Sequence, residues 1–213
     1  MEGPAKVRTV LAIIAQAIVA VATFACIVSF FTSGGEGNMQ VVGWRAFRYF
    51  TVDSNVLAAL AGLVCIPFEF RALRTGDAAL PHPALIFAYV GTVAVSVTLV
   101  VVLAFLGPLY GYGPLFAGIN LWLHGINPVL AIVTLMVLLP GPIRFRETLW
   151  CLLPLAVYGT LYGIMVIAIG AEAGGWPDFY FFNMGGRWPI SFAAVGLLAF
   201  ILAVIERLPH RGH

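Results

Sequence analysis

Residues 84–107 read ALIFAYVGTVAVSVTLVVVLAFLG, a run without a single charge. About 20 apolar residues suffice to carry a helix across roughly 30 Å of hydrocarbon, so this run predicts a membrane span. Working outward, five more runs have the same character: 9–32, 47–69, 117–140, 148–170 and 189–206. The separators hold the turn signals of helix ends: Gly34-Gly35, Pro81-His82-Pro83, Gly107-Pro108 with Gly111 and Gly113, Pro140-Gly141-Pro142, and Gly174-Gly175. The first run follows Lys6 and Arg8 as a signal peptide would, but it exceeds the about 7–15 apolar residues of such a segment and reads as a helix. The expected fold is all-α, a single six-transmembrane-helix bundle over residues 1–213, without tandem repeats.

Composition excludes the competing classes. Of the 213 residues 62% are hydrophobic and 9% charged, against roughly 45–50% and about 25% in soluble domains. A soluble surface cannot be dressed with so few charges, and a disordered chain would be polar and highly charged. The net charge is +2 with no basic patch, so nucleic acid is not an expected partner. Cys26, Cys65 and Cys151 lie far apart inside apolar runs, with neither disulfide nor zinc spacing. No cofactor or metal is expected.

Eight of the eleven basic residues fall on one side of the six spans: Lys6, Arg8, Arg71, Arg74, Arg144, Arg146, Arg207 and Arg211. Arg45, Arg48 and Arg187 fall on the other. The positive-inside rule then makes both termini cytoplasmic and the first and fifth loops external. Gly159 and Gly163 form a small-xxx-small pair suited to close helix approach. Trp44, Trp176 and Trp188, with Tyr110 and Tyr112, stand where interfacial aromatics belong.

Polar side chains inside a bilayer are costly and face the bundle interior or a cavity. Thr51, Ser54 and Asn55 share one face of the second helix, with Asp53 pointing elsewhere. Asn120, His124 and Asn127 fall at i, i+4 and i+7 of the fourth. At 1.5 Å per residue, Thr51 lies about 6 Å and His124 about 10 Å below the outer surface, within about one turn of the same depth. Pro128 removes the hydrogen bond to the carbonyl of His124, which predicts a kink and a free carbonyl at the histidine. Each residue also has a plainer reading. Thr51 can bond its own backbone, Ser54 and Asn55 can join helices, and Asn120 and Asn127 can do the same. Asp53 is expected to pair with Arg48 or Arg45, and His210 and His213 to be solvated. An intramembrane histidine is a functional candidate by default, and His124 is the one histidine within a span.

Two segments, Trp44-Arg45-Ala46-Phe47-Arg48-Tyr49-Phe50-Thr51 and Leu123-His124-Gly125-Ile126-Asn127-Pro128, resemble a family of six-pass membrane proteins. It contains the androgen-induced protein and the androgen-dependent regulator of tissue factor pathway inhibitor, with bacterial relatives. The six-span plan matches over the whole chain, the motifs over about a tenth of it. The family's animal members are intramembrane hydrolases of fatty-acid esters of hydroxy fatty acids, using a threonine and a histidine. The resemblance thus implies Thr51 as nucleophile and His124 as base, a lipid ester as substrate, and, since Asp53-Ser54-Asn55 is closer to the bacterial branch, a bacterial cytoplasmic membrane. Two features depart from the pattern: the spacing from histidine to proline, and the fifth-loop segment Trp176-Pro177-Asp178-Phe179-Tyr180, where relatives have Tyr-Pro-Phe.

Histidine is the usual base for a hydroxyl nucleophile. Asn55, Asn120 or Asn127 would hold the oxyanion or orient the imidazole. Ser54 would contact the substrate, and Arg45, Arg48 or Arg187 would hold an anionic group at the mouth. The alternative is a non-catalytic binder or transporter of a small amphiphile. A metal site at Asp53 and His124 has weak grounds, with two ligands and no helical ligand spacing. A rhomboid-like serine protease lacks its Gly-x-Ser motif here.

Overall fold

The computed structural model describes residues 3–32, 43–76 and 80–210. Gly34, Gly35, Arg211 and His213 lie outside the described residues. Six helices are long and apolar enough to cross a membrane: α1 (Gly3–Thr32), α2 (Phe50–Thr75), α3 (His82–Tyr110), α4 (Ile119–Leu138), α5 (Phe145–Ile169) and α6 (Trp188–Glu206). No strand occurs among the described residues. These lengths and compositions fit a multi-pass integral membrane protein.

The helix limits differ from the hydropathy limits where local hydrogen bonding decides. Residues Gly43–Arg48 form a 3-10 turn before α2, which starts at Phe50 rather than 47. α2 also runs past 69 to Thr75, where Gly76, at φ 78°, turns left-handed and donates its N–H to Ala72. α5 opens with 3-10 turns over Phe145–Leu152 and becomes α-helical at Leu153, with Pro154 in its first turn, where a missing N–H leaves no bond unmade.

α3 is the central helix and packs against α2, α4, α5 and α6. That position explains why it is apolar all round. Small residues set its distance to α2: a Cβ on Gly91 would lie 3.0 Å from Ala58 Cα, so the two backbones nearly touch. Gly159 likewise receives Phe192 of α6, whereas Gly163 faces open space, so only half of the expected small-residue pair is used.

The end of the bundle carrying both chain termini is locked by polar contacts. Arg207 Nε donates to Ile143 O at 2.7 Å and His82 Nε2 lies 2.9 Å from Glu147 Oε1. His210 is buried, not solvated as expected, with its ring nitrogens 2.8 Å from Gly141 O and 2.9 Å from Leu135 O.

Candidate functional site

The polar residues of α2 and α4 meet near the opposite end of the bundle. Two π-helical turns shape this region, Val102–Leu106 in α3 and Trp122–Ile126 in α4. Each ends two residues before a proline, Pro108 or Pro128. A proline lacks its N–H and its ring crowds the carbonyl four residues earlier, and widening the turn by one residue relieves that contact. In α4 the amide of Asn127 therefore reaches Trp122 O. The carbonyl of Leu123 loses its α-helical partner, and its π-helical partner would be the nitrogen of Pro128. The widened turn thus orphans the carbonyl of Leu123, one residue before the His124 carbonyl that the sequence singles out. Asn55 Nδ2 fills the gap, donating to Leu123 O at 2.9 Å.

This bond makes Asn55 the link between the helices. Its second amide hydrogen goes to Thr51 O at 2.7 Å, and its Oδ1 accepts from Asn127 Nδ2 at 3.0 Å. Asn127 spends its other hydrogen on Thr23 Oγ1 of α1 at 3.1 Å. Ser54 Oγ sits 2.9 Å from Thr98 Oγ1 of α3 and donates to Thr51 O at 3.1 Å. Asn55, Asn127 and Ser54 therefore bind helix to helix, and both amide hydrogens of each asparagine are engaged. Asn120 gives one hydrogen to Pro114 O at 3.1 Å and keeps the other.

The network holds the Leu123–His124 turn of α4 against the Thr51–Asn55 turn of α2. Both are buried, at 4% and 2% exposure. His124 Nδ1 lies 2.8 Å from Leu115 O in the segment before α4. A carbonyl only accepts, so Nδ1 carries the hydrogen and Nε2 holds the lone pair. Among the described residues Nε2 has no hydrogen-bond partner, and no hydrogen bond joins it to Thr51. Neither Nε2 nor Thr51 Oγ1 is among the fully enclosed unpartnered atoms.

Tyr180 is the neighbour that sequence reasoning missed. Its hydroxyl accepts the N–H of Phe50 at 3.1 Å, which caps the start of α2, and it lies against the Thr51 side chain. Burial pushes its phenol above the ordinary range, so it remains a donor. The fifth loop around it is ordered by Asp178, whose carboxylate accepts the N–H groups of Phe182 and Asn183 at 2.7 and 2.8 Å. Tyr158 and Tyr162, four apart on α5, point their hydroxyls to Arg48 O and Asp178. That spacing in an apolar helix was the available signal for the aromatic roof.

The remaining candidates lie around the roof. Arg48 stands 5.8 Å over the ring of Trp176, which is 9% exposed and packed within the loop rather than spread at an interface as expected. Trp44 and Trp188 are exposed, at 78% and 42%. Arg45 and Arg187 are exposed. Asp53, half-buried, makes no ion pair with Arg45 or Arg48; among the described residues the ion pair is His82 with Glu147. The described residues contain no group of three potential metal ligands. Comparison with protein-family models, with curated proteins and with solved structures finds no match to this chain.

Proposed function

We propose that the chain is an intramembrane hydrolase of lipid esters, such as fatty-acid esters of hydroxy fatty acids, of the threonine-histidine kind that its motifs resemble. The observation that carries this reading is the state of His124: Nδ1 is committed to Leu115 O, which leaves Nε2 a base without a partner among the described residues, on the turn of α4 that Asn55 ties to Thr51 O. Catalytic hydrogen bonds are often long before substrate binds, so the lack of a direct bond does not exclude the pair. Thr51 Oγ1 attacks the ester carbonyl carbon while Nε2 takes its proton. The leaving alkoxide recovers that proton as the acyl-threonine forms. Water, deprotonated by the same nitrogen, then releases the fatty acid and restores Thr51. Tyr180 O–H and the free amide hydrogen of Asn120 are the donors left for the oxyanion. Arg45, Arg48 and Arg187 at the rim suit a carboxylate on the substrate. The distribution of basic residues supports cytoplasmic termini with this site near the outer face, and the resemblance of Asp53-Ser54-Asn55 to the bacterial branch supports a bacterial cytoplasmic membrane.

The test is hydrolysis of long-acyl esters, including a hydroxy-fatty-acid ester, by protein purified in detergent. Thr51→Val and His124→Ala are expected to abolish turnover, and Tyr180→Phe to lower kcat by about 100–1000-fold with KM little changed, in line with loss of one oxyanion donor. Wild-type activity in Thr51→Val removes the nucleophile. The missing Thr51–His124 hydrogen bond favours a second reading, a binder of small amphiphiles. Saturable lipid binding without product, insensitive to Thr51→Val, would establish it.

A further inference from the structure

Away from this site, toward the terminal end, α1 and α2 bury a second polar pair. Gln16 Nε2 donates to Glu69 Oε1 at 3.2 Å. The two residues are 5% and 6% exposed. The other oxygen of each, Gln16 Oε1 and Glu69 Oε2, is fully enclosed and has no partner. Gly62 makes the arrangement possible, since a Cβ there would stand 3.1 Å from Gln16 Cβ.

Two facts about this pair need one explanation. The first is electrostatic. No Lys, Arg or His pairs with Glu69 among the described residues. An isolated carboxylate without a counter-ion is costly inside a low-dielectric bundle. The second is geometric. A carboxylate and an amide joined by one N–H···O bond leave each partner one acceptor oxygen, here Glu69 Oε2 and Gln16 Oε1, and neither oxygen can satisfy the other. One proton resolves both. Placed on Glu69 Oε2 it neutralises the acid and donates to Gln16 Oε1, closing a ring of two hydrogen bonds between acid and amide.

The surroundings give that proton a route. Glu69 lines a cavity of about 20 Å³ with Thr9, Phe68, Leu80 and Pro140, toward the terminal end. Gln16 lines another of about 20 Å³ with Gly62, Thr92 and Thr134, deeper in the bundle. Each has about the room that one water requires, and Thr134 Oγ1 is itself enclosed without a partner. The Gln16–Glu69 pair stands between the two. Among the described residues Glu69 is the only acid or base lining either cavity. Cys65, one turn earlier on α2, turns its thiol to Ala84 O.

We propose that Gln16 and Glu69 form a proton-binding site, loaded from the Thr9–Leu80 cavity toward the terminal end. On release, the proton leaves Oε2 for water in the Thr9–Leu80 cavity, and the carboxylate keeps the N–H of Gln16. The proposal is independent of the ester-hydrolase reading, because none of its residues belongs to the Thr51–His124 site.

The test is infrared difference spectroscopy of the full chain in lipid, titrated with pH at constant ionic strength. Wild type should show a hydrogen-bonded carboxylic acid band that is absent in Glu69→Gln. That band should move to higher frequency in Gln16→Leu, which keeps the acid and removes its partner, and this variant carries the test if Glu69→Gln does not fold. Replacing choline with sodium at fixed pH should leave the band unchanged. A carboxylate signal for Glu69 at every pH where the protein is folded overturns the proposal. Loss of the acid band on adding sodium also overturns it, since the site would then hold a metal cation instead of a proton.

Discussion

Asn55→Ala tests whether the proline-shifted turn of α4 and the polar face of α2 form one device. The substitution removes the donor to Leu123 O, at 2.9 Å, and the acceptor of Asn127 Nδ2, at 3.0 Å. Thr51 O loses one donor but keeps Ser54 Oγ. Two buried groups are thus left unpaired. At about 1–3 kcal/mol each the cost would be roughly 2–6 kcal/mol, whereas interhelical bonds measured in membranes average only about 0.6 kcal/mol each. We expect a loss of about 2 kcal/mol, read by circular dichroism during reversible unfolding in mixed micelles. The discriminating quantity is its coupling to Pro128→Ala. An alanine at 128 restores an N–H, and Leu123 O is then paired whether the turn stays π or returns to α. The cost of Asn55→Ala should therefore shrink by about 1 kcal/mol in the Pro128→Ala background, above the roughly 0.5 kcal/mol scatter of independent sites. Costs that simply add would show that Leu123 O does not depend on Asn55, and the account of the orphaned carbonyl would fail.

Two further predictions concern stability. Gly91→Ala forces α2 and α3 apart against Ala58 and should cost about 1–3 kcal/mol, whereas Gly163→Ala meets no neighbour and should leave stability unchanged or slightly higher; equal effects in the same unfolding assay would contradict the packing described. His210→Phe leaves Gly141 O and Leu135 O without their imidazole partner. It should cost about 1–3 kcal/mol, for the one carbonyl that a neutral imidazole, with its single N–H, can pair, and an unchanged melting temperature would count against the lock at the terminal end.

The six spans were legible because hydropathy integrates over about 20 residues and tolerates local errors. What the sequence hid were effects of a single residue's shift or of distant pairing. Asn120, His124 and Asn127 share a stripe on an ideal helix, but the π turn at Trp122–Ile126 inserts a residue's worth of rotation between them. In the structure they part company. Asn120 and His124 turn to Pro114 and Leu115 ahead of α4, while Asn127 turns to Thr23 and Asn55. Pro128 announced a disturbance, but counting back four residues reached His124 and missed Leu123, whose carbonyl the widened turn orphans. Tyr180 was invisible for another reason: its partner Phe50 lies 130 positions away.

The buried acid shows how a boundary alone can conceal chemistry. With the second span ended at 69, Glu69 reads as an ordinary charged helix terminus in the headgroup region, and Gln16 as a lone polar residue on α1. In the structure α2 continues to Thr75, so Arg71 and Arg74 take the terminal position and Glu69 is drawn inward. Heptad spacing then becomes visible on three helices at once: Thr9, Gln16 and Thr23 on α1, Asn55, Gly62 and Glu69 on α2, and, past the π turn, Asn127 and Thr134 on α4. A repeat of seven keeps one seam of a helix against its neighbours. Members of these three rows touch one another: Gln16 bonds Glu69 and packs on Gly62, and Asn127 bonds Thr23 and Asn55. The same seam that holds Thr51 and His124 in register at one end thus carries the acid–amide pair at the other, which is why the acid can be buried without a counter-ion and still have a partner.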